Sequence, residues 1–460
     1  MIDFEIQLID LDTGKVNRLT HWRGYSVGCS IFNPASTFSA EIAAIKKQRD
    51  FTAHGGQKAQ VFSYGALQST AITDERSEDT STSASDLHIA GRGVGGLLVD
   101  SAVGLKDLSL ANLTLSQWAD RVTAPWQPDF ITTVSTSNSA NRYVMSGGAS
   151  YYSTKGKMVV KPFRDKQGNI IKDTDGSPLK GSFYEQGKTG KNAHKKFGKA
   201  SPYYRGNDEK LRQTRVQPGT KIWDQLKTLA AQIGCMVFVG CDGTLIIDRP
   251  NYAMSPDVYG EGIVLTWDQS EQRATGGNIS GVRFETSIAD RHSETIALGT
   301  GKSKKTTAGK KLLKNTWTVK DPSPAFWKRQ STPPYLTTNK LYKPNILSVG
   351  KNLSDKKMLR RMVRGELEQQ LIQSFSLEYQ MPGHFINGVL PVPDSMINVR
   401  DERNGITDAM YITEVQRKFD ISSGKTQVIK LIPAKIWMHF DHDTTSDDEY
   451  LEHLVQRVYW

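Results

Sequence analysis

Gln217–Tyr252 reads QPGTKIWDQLKTLAAQIGCMVFVGCDGTLIIDRPNY, and Val392–Trp437 reads VPDSMINVRDERNGITDAMYITEVQRKFDISSGKTQVIKLIPAKIW. The first stretch is a helix followed by a hairpin. Pro218, Gly219 and Thr220 open the helix, and Ile222, Leu226, Leu229, Ala230 and Ile233 recur on one face until Gly234 stops it. CMVFVG and GTLIID then pair across a turn at Cys241–Asp242–Gly243. The second stretch is β throughout. MINVRD, MYITEVQRKFD and KTQVIKLIP are strands, joined by turns at Arg403–Asn404–Gly405 and Ser423–Gly424.

Residues 1–96 are a series of short alternating runs separated by Gly, Asn-Pro and Ser/Thr turns, which predicts an antiparallel barrel or sandwich. Phe38, Ala40 and Ile42 mark the inward face of one such strand, and SEDTSTSAS at 77–85 is a polar hairpin tip. Residues 97–134 hold one helix, capped by Ser/Thr at 114–116, with Leu115, Trp118, Ala119 and Val122 on one face and Pro125 at its end. Residues 135–215 are poor in aliphatics and form an insertion, with a hairpin turning at Asp175–Gly176. Residues 216–252 rejoin 97–134 as a small α+β domain. Strands return over 253–435, with a polar interruption at 299–345. A helix at 354–373 is capped by Ser354, with Met358, Met362, Leu367 and Leu371 as its apolar stripe. The tail, 436–460, is acidic. The expected fold is therefore α+β and mainly β: two tube-like antiparallel β-barrels with a small α+β domain between them and long polar insertions.

At 460 residues the chain is long enough for several domains. Its mean hydropathy of -0.47 and the lack of an apolar run of about 20 residues predict no membrane-spanning helix. The start, MIDFEIQLIDLD, reads as a strand and not as a signal peptide. Three cysteines, Cys29, Cys235 and Cys241, are too few for a disulfide framework, and Cys235 and Cys241, in a segment that reads as buried helix end and strand, are expected to pack as small apolar groups in a reducing cytoplasm. The formal charge is +11, and its location is informative. Residues 145–221 carry 17 Lys and Arg against 6 Asp and Glu, an excess equal to that of the whole chain. A basic segment on a neutral body fits an acidic protein partner. With no recognition helix or zinc-finger spacing, sequence-specific DNA binding is not predicted.

Several short patterns resemble catalytic or binding motifs, and each has a plainer reading. Gly24–Tyr25–Ser26–Val27–Gly28 matches G-x-S-x-G, but a nucleophile elbow needs a strand, a sharp turn and a helix, and Cys29–Ile31 continues a strand. Gly91, Gly93 and Gly96 match G-x-G-x-x-G, but LLVDSAVGLKDLSL is not the helix that a dinucleotide site needs. Gly299–Thr300–Gly301–Lys302–Ser303 lacks the first P-loop glycine, since Ile296 stands there. His439, Asp441, His442, Asp443 and His453 are metal-ligand types at loose spacing on a polar tail. Asp107 with Asp120, and Asp401 with Glu402, are carboxylate pairs whose separation sequence does not define. No catalytic, cofactor-binding or metal-binding residue is assigned, and the chain is read as not an enzyme.

One ordered set of positions resembles a known family. Gly91–Arg92 followed by Gly96–Leu97–Leu98–Val99–Asp100–Ser101 looks like the link into its α+β domain. Pro218–Gly219–Thr220, Leu226, Leu229–Ala230, Gly243, Leu245 and Arg249–Pro250 look like its helix–hairpin unit. Arg360, Arg364 and Glu366 resemble its charged helix, and Met410–Tyr411–Ile412–Thr413–Glu414–Val415 resembles its closing strand. The family is the Mu-like late-control family, the hub proteins of contractile phage baseplates. The resemblance implies a homotrimer in which two tube-like barrels per subunit make a pseudo-six-fold ring. That ring would join the tail tube to a central spike protein and let the tape-measure protein and DNA pass through its lumen. It also implies baseplate wedge proteins as neighbours, reached through the basic segment 145–221, and a place in the virion after assembly in the host cytoplasm. A tail-associated peptidoglycan hydrolase and the hub-like base of a type VI secretion spike are the alternatives.

Overall fold

The computed structural model describes residues 4–43, 55–80, 85–110, 113–127, 129–135, 158–162, 180–184, 215–233, 235–248, 264–267, 279–300, 314–321, 323, 325–329, 336–339, 341–348, 356–386, 390–401 and 404–433. The fold is α+β and mainly β.

The first seven strands are β1 (Phe4–Ile9), β2 (Val16–Leu19), β3 (Gly24–Ser30), β4 (Thr37–Ala43), β5 (Lys58–Ser63), β6 (Ala66–Thr80) and β7 (Ser85–Gly93). They pair in the order β3-β4-β7-β6-β5-β1-β2, antiparallel throughout. Strand alternation puts Phe4, Ile6 and Leu8, then Phe38, Ala40 and Ile42, then Leu87 and Ile89 into one core. Each fully buried large apolar side chain contributes about 1.5–3 kcal/mol. The sheet curls on itself. Phe4 on β1 stacks on Tyr25 on β3, with ring centroids 3.7 Å apart, although four strands lie between β1 and β3 along the sheet. Trp22 closes this contact edge-on and donates its indole N–H to the Phe4 carbonyl at 2.8 Å. Gly91 allows the tight crossing of β7, because a Cβ there would lie 2.1 Å from the Ile72 carbonyl oxygen and 2.6 Å from the Phe38 ring.

The chain then builds α1 (Gly96–Asp100), a 3-10 turn at Leu105–Asp107, α2 (Leu115–Thr123) and β8 (Thr132–Ser135). Thr114 caps α2 as expected. Its hydroxyl accepts from Gln117 N at 3.2 Å while the Gln117 side chain accepts from Thr114 N at 3.0 Å, a capping box of about 1 kcal/mol. Inside the basic segment, β9 (Met158–Pro162) and β10 (Lys180–Tyr184) pair antiparallel, and the expected turn at Asp175–Gly176 lies outside the described residues. Next come α3 (Ile222–Ile233), β11 (Met236–Val239) and β12 (Thr244–Asp248). β12 pairs antiparallel with β11 and parallel with β8. Leu98, Leu115, Trp118 and Val122 share a core with Ile222, Leu226, Leu229 and Leu245, so the stretches on either side of the basic segment form one α+β unit. Gly243 closes the hairpin at φ +85°, where an added Cβ would lie 2.4 Å from the Phe130 carbonyl oxygen.

After β13 (Val264–Trp267) and β14 (Gly281–Thr286), the chain leaves the large sheet to build a further unit. β15 (Glu294–Thr300) pairs antiparallel with β16 (Lys314–Lys320) and parallel with β19 (Pro344–Ser348), while β17 (Trp327–Arg329) and β18 (Leu336–Asn339) form a separate ribbon. The helix α4 (Lys356–Gln373) lies against this sheet. Its buried stripe is Leu359, Val363, Leu367 and Leu371, one residue out of step at its start from the expected Met358–Met362 line; Met362 is only partly buried. The polar residues Arg364, Glu368 and Gln370 are buried on the same side, which hides the stripe from a hydrophobic reading. Arg291 and Asp321 form a bidentate ion pair inside the unit at 2.8 and 2.5 Å. The unit extends past both ends of the 299–345 stretch.

The chain then returns to the large sheet with β20 (Phe375–Pro382), β21 (Ser395–Asp401), β22 (Ile406–Asp420) and β23 (Gly424–Pro433). The order is β14-β20-β23-β22, with β21 on the first half of β22 and β13 parallel to β21. Leu377, Tyr379, Ile397, Val399, Ile412, Val415, Ile429 and Leu431 form its core. From Glu414 onward, β22 pairs with β3, so the two curled halves are one continuous sheet.

Candidate functional site

The join between the two halves is where the described side chains are most specialised. β3 and β22 run antiparallel from Glu414↔Ser30 to Asp420↔Gly24. Alternation on β22 turns Val415 and Arg417 inward. Arg417 is fully buried. Its Nη1 donates to the Gln68 side-chain carbonyl and its Nη2 to the Pro391 carbonyl. Burial pulls its guanidinium down to about 10. Beside it, the Cys29 thiol donates to the Gln68 carbonyl at 2.6 Å, and burial pushes it up to about 11. His384 approaches Tyr25 and Tyr64, each at 6.0 Å between centroids, and its Nε2 bonds the Lys418 carbonyl at 3.0 Å, which makes that nitrogen the donor. Burial pushes this imidazole down to about 4. Tyr64 adopts φ +52°, packs on Phe385 at 4.5 Å and lies 5.3 Å from Lys425 Nζ. The thiol is thus protonated and the imidazole neutral at pH 7. The cluster supplies no thiolate for nucleophilic attack, and each of these groups is held by a contact that crosses or borders the join. Its chemistry is that of a weld.

The motif residues fall elsewhere. Ser26 lies in the middle of β3, opposite Ser39 and Lys418, in extended strand and not on an elbow. Gly91 and Gly93 end β7 and Gly96 begins α1, a helix of five residues; Arg92 between them binds Asp74 at 2.7 Å and Asp100 at 2.9 Å. Gly299 and Thr300 are in β15, and Gly301, Lys302 and Ser303 lie outside the described residues. Asp107 is buried and paired with Arg121 at 2.7 Å, while Asp120 on α2 points to solvent. Asp401 is buried and accepts from Tyr379 at 2.9 Å and from Asn404 Nδ2 at 2.7 Å; Glu402 lies outside the described residues. His439, Asp441, His442, Asp443 and His453 also lie outside them. Among the described residues, no group of three or more His, Cys, Asp or Glu is placed to hold a metal. Also among them, no helix is long and apolar enough to cross a membrane.

Gln68, His384 and Arg417 do not stand out as site residues in the sequence. A signal for Arg417 was present: in Val415–Gln416–Arg417–Lys418–Phe419 it occupies an inward slot of an alternating strand. Nothing local marks Gln68 or His384, which meet β22 only in the fold.

A second surface contrasts with this weld. β14 is at one end of the large sheet and bonds β20 on one edge; among the described residues no strand covers its other edge. Phe284 on it is 47% exposed, a large value for an aromatic side chain on an edge strand, and Ile288, two residues past the strand's end, is 45% exposed.

No family model and no curated protein matches the sequence. Solved structures do resemble the fold. A tail protein from Neisseria meningitidis MC58 superposes with a TM-score of 0.61 at 18% identity, covering 95% of this chain and 98% of that one. The 43 kDa tail protein of prophage MuSo2 from Shewanella oneidensis superposes with a TM-score of 0.57 at 18% identity, covering 94% and 99%. The chain therefore has, over nearly its whole length, the fold of these tail proteins.

Proposed function

We propose that the chain is a structural protein of a phage tail, and within it the baseplate hub. A homotrimer would form the ring that joins the six-fold tail tube to the three-fold central spike, with the tape-measure protein and DNA passing through the lumen. The observation that carries this reading is the fused sheet: one chain offers two curled halves of matching strand order, so three chains offer six. The whole-length likeness to two tail proteins supports it. In this reading the protein is not an enzyme, the weld at Arg417 keeps the two halves at a fixed angle, and the basic segment 145–221 faces acidic baseplate wedge proteins.

The test is the mass of the purified protein in solution, measured by light scattering across a salt series. A species of three times the 51.2 kDa chain mass, seen as a ring in negative stain, supports the hub. A monomer at every concentration that also clears peptidoglycan in a zymogram overturns it in favour of a tail hydrolase.

A further inference from the structure

The unit that runs from β15 to α4 has one covered sheet face and one open one. Ala297, Val319 and Leu347 turn towards α4. Alternation turns their neighbours the other way. Thr318, Ile296 and Ile346 stand side by side across β16, β15 and β19, with Thr316 and Leu298 in the next row and Lys320 and Glu294 in the row before. Among the described residues no helix or strand packs on this face. Ile346 is 59% exposed, and Leu341 and Tyr342, just before β19, are exposed next to it. Tyr342 donates its hydroxyl to Glu294 on the same face. Three exposed apolar side chains on one small sheet are the mark of a docking surface.

The charge of the unit narrows what docks there. Residues 299–345 hold 11 Lys and Arg and a single acidic residue, Asp321. Asp321 is buried against Arg291, so it offsets none of the surface charge. The matching occupant is acidic and apolar together. Residues 436–460 have that composition, with six Asp and Glu against one Arg and with apolar side chains at Trp437, Phe440, Tyr450, Leu451, Leu454 and Trp460. They also start close by. β23 ends at Pro433, two residues past Leu431, which pairs Leu377 on β20. On the other edge of β20, Thr286 ends β14 opposite Phe375. Two strand spacings, about 10 Å, thus separate the end of β23 from the point where the chain leaves for the unit. The link that follows runs past the approach to β19, where Lys343 Nζ bonds the Ala289 carbonyl. Fully extended, residues 434–460 span on the order of 90 Å, so reach does not limit them.

We propose that residues 436–460 dock on this open face of their own chain. Their apolar side chains cover Ile346, Leu341 and Tyr342, and their carboxylates meet the basic charge of residues 299–345. The contact lies within one chain and is independent of the trimeric reading above.

The test is limited chymotrypsin digestion of the full-length protein, with the rate of cleavage within 436–460 read by mass spectrometry against the matching free peptide. The wild-type segment should be cut well below the rate of the peptide. Ile346→Asp puts a carboxylate into the apolar contact and should raise the rate about tenfold, because cleavage follows the population of the undocked form. A second variant, Asp447→Asn/Asp448→Asn/Glu449→Gln/Glu452→Gln, should do the same without touching the sheet. Ile421→Asp, on the exposed turn between β22 and β23, should leave the rate unchanged. Circular dichroism should be the same for all. A wild-type segment cut as fast as the free peptide overturns the proposal, and so does an unchanged rate in either of the first two variants. Protection that disappears on dilution places the segment of a second copy on the face and overturns docking within one chain.

Discussion

β3 and β14 occupy matching places in the two halves of one sheet, yet Val27 is 1% exposed and Phe284 is 47% exposed. Both strands alternate, and both place an apolar residue at the same register position. What separates them is the next strand: β22 covers β3 within the chain, and no described strand covers β14. Burial at a sheet edge is therefore a property of the neighbour as much as of the residue. Val27→Asp should be the most damaging substitution on these two strands. A carboxylate without a partner would enter the apolar core of the first half, and the expected loss is about 4 kcal/mol or more. Guanidinium-induced unfolding followed by tryptophan fluorescence would show it, or the variant would accumulate as insoluble protein.

Arg417→Ala removes the weld from the opposite strand. The Gln68 side chain and the Pro391 carbonyl each lose a donor while remaining buried, at about 1–3 kcal/mol apiece. The expected total is about 3 kcal/mol, because part of the loss is recovered by the desolvation cost of the buried guanidinium itself. Arg417→Met keeps most of the side-chain volume and should cost less. If the two variants are equally stable, the packing of the Arg417 side chain contributes nothing and its hydrogen bonds alone hold the join.

The join should also respond to acid. Burial holds His384 at about 4 in the folded protein, against 6.5 for the free imidazole. The folded state therefore binds fewer protons than the unfolded state between these values. The stability is fully present above pH 6.5 and is lost as pH falls towards 4, by up to about 3 kcal/mol. Melting temperature measured at pH 7 and pH 5 should fall in the wild type, and His384→Gln should flatten that difference. An unchanged slope in the variant would mean that other groups carry the acid response.

How much of this was legible depended on range. α2 and α3 were readable because a helix announces itself locally: Thr114 and Gln117 form the cap, and Leu115, Trp118, Ala119 and Val122 recur at helical spacing. Phe38, Ala40 and Ile42 likewise show their strand by alternation alone. The partner of β3 was not readable, because Gln416 and Ser26 are 390 residues apart and nothing in either segment names the other. The stripe of α4 was misread by one position because Arg364 and Glu368, charged residues, take buried places. The weld was missed for the same reason. A charged residue in an inward slot reads as an interruption of the pattern until the fold supplies Gln68 and the Pro391 carbonyl.

Phe284→Asp is the counterpart of Val27→Asp at the same register position in the other half. Among the described residues Phe284 packs edge to face on Phe375 at 5.6 Å and is 47% exposed. A carboxylate placed there stays hydrated, so the intrinsic stability of the fold should change by about 0.5 kcal/mol. The measurement has to be made at a protein concentration where the wild type is also monomeric, since association would add its own concentration-dependent stability. A loss comparable to that of Val27→Asp under those conditions would mean that β14 is already covered within the chain, and the asymmetry between the two halves would disappear.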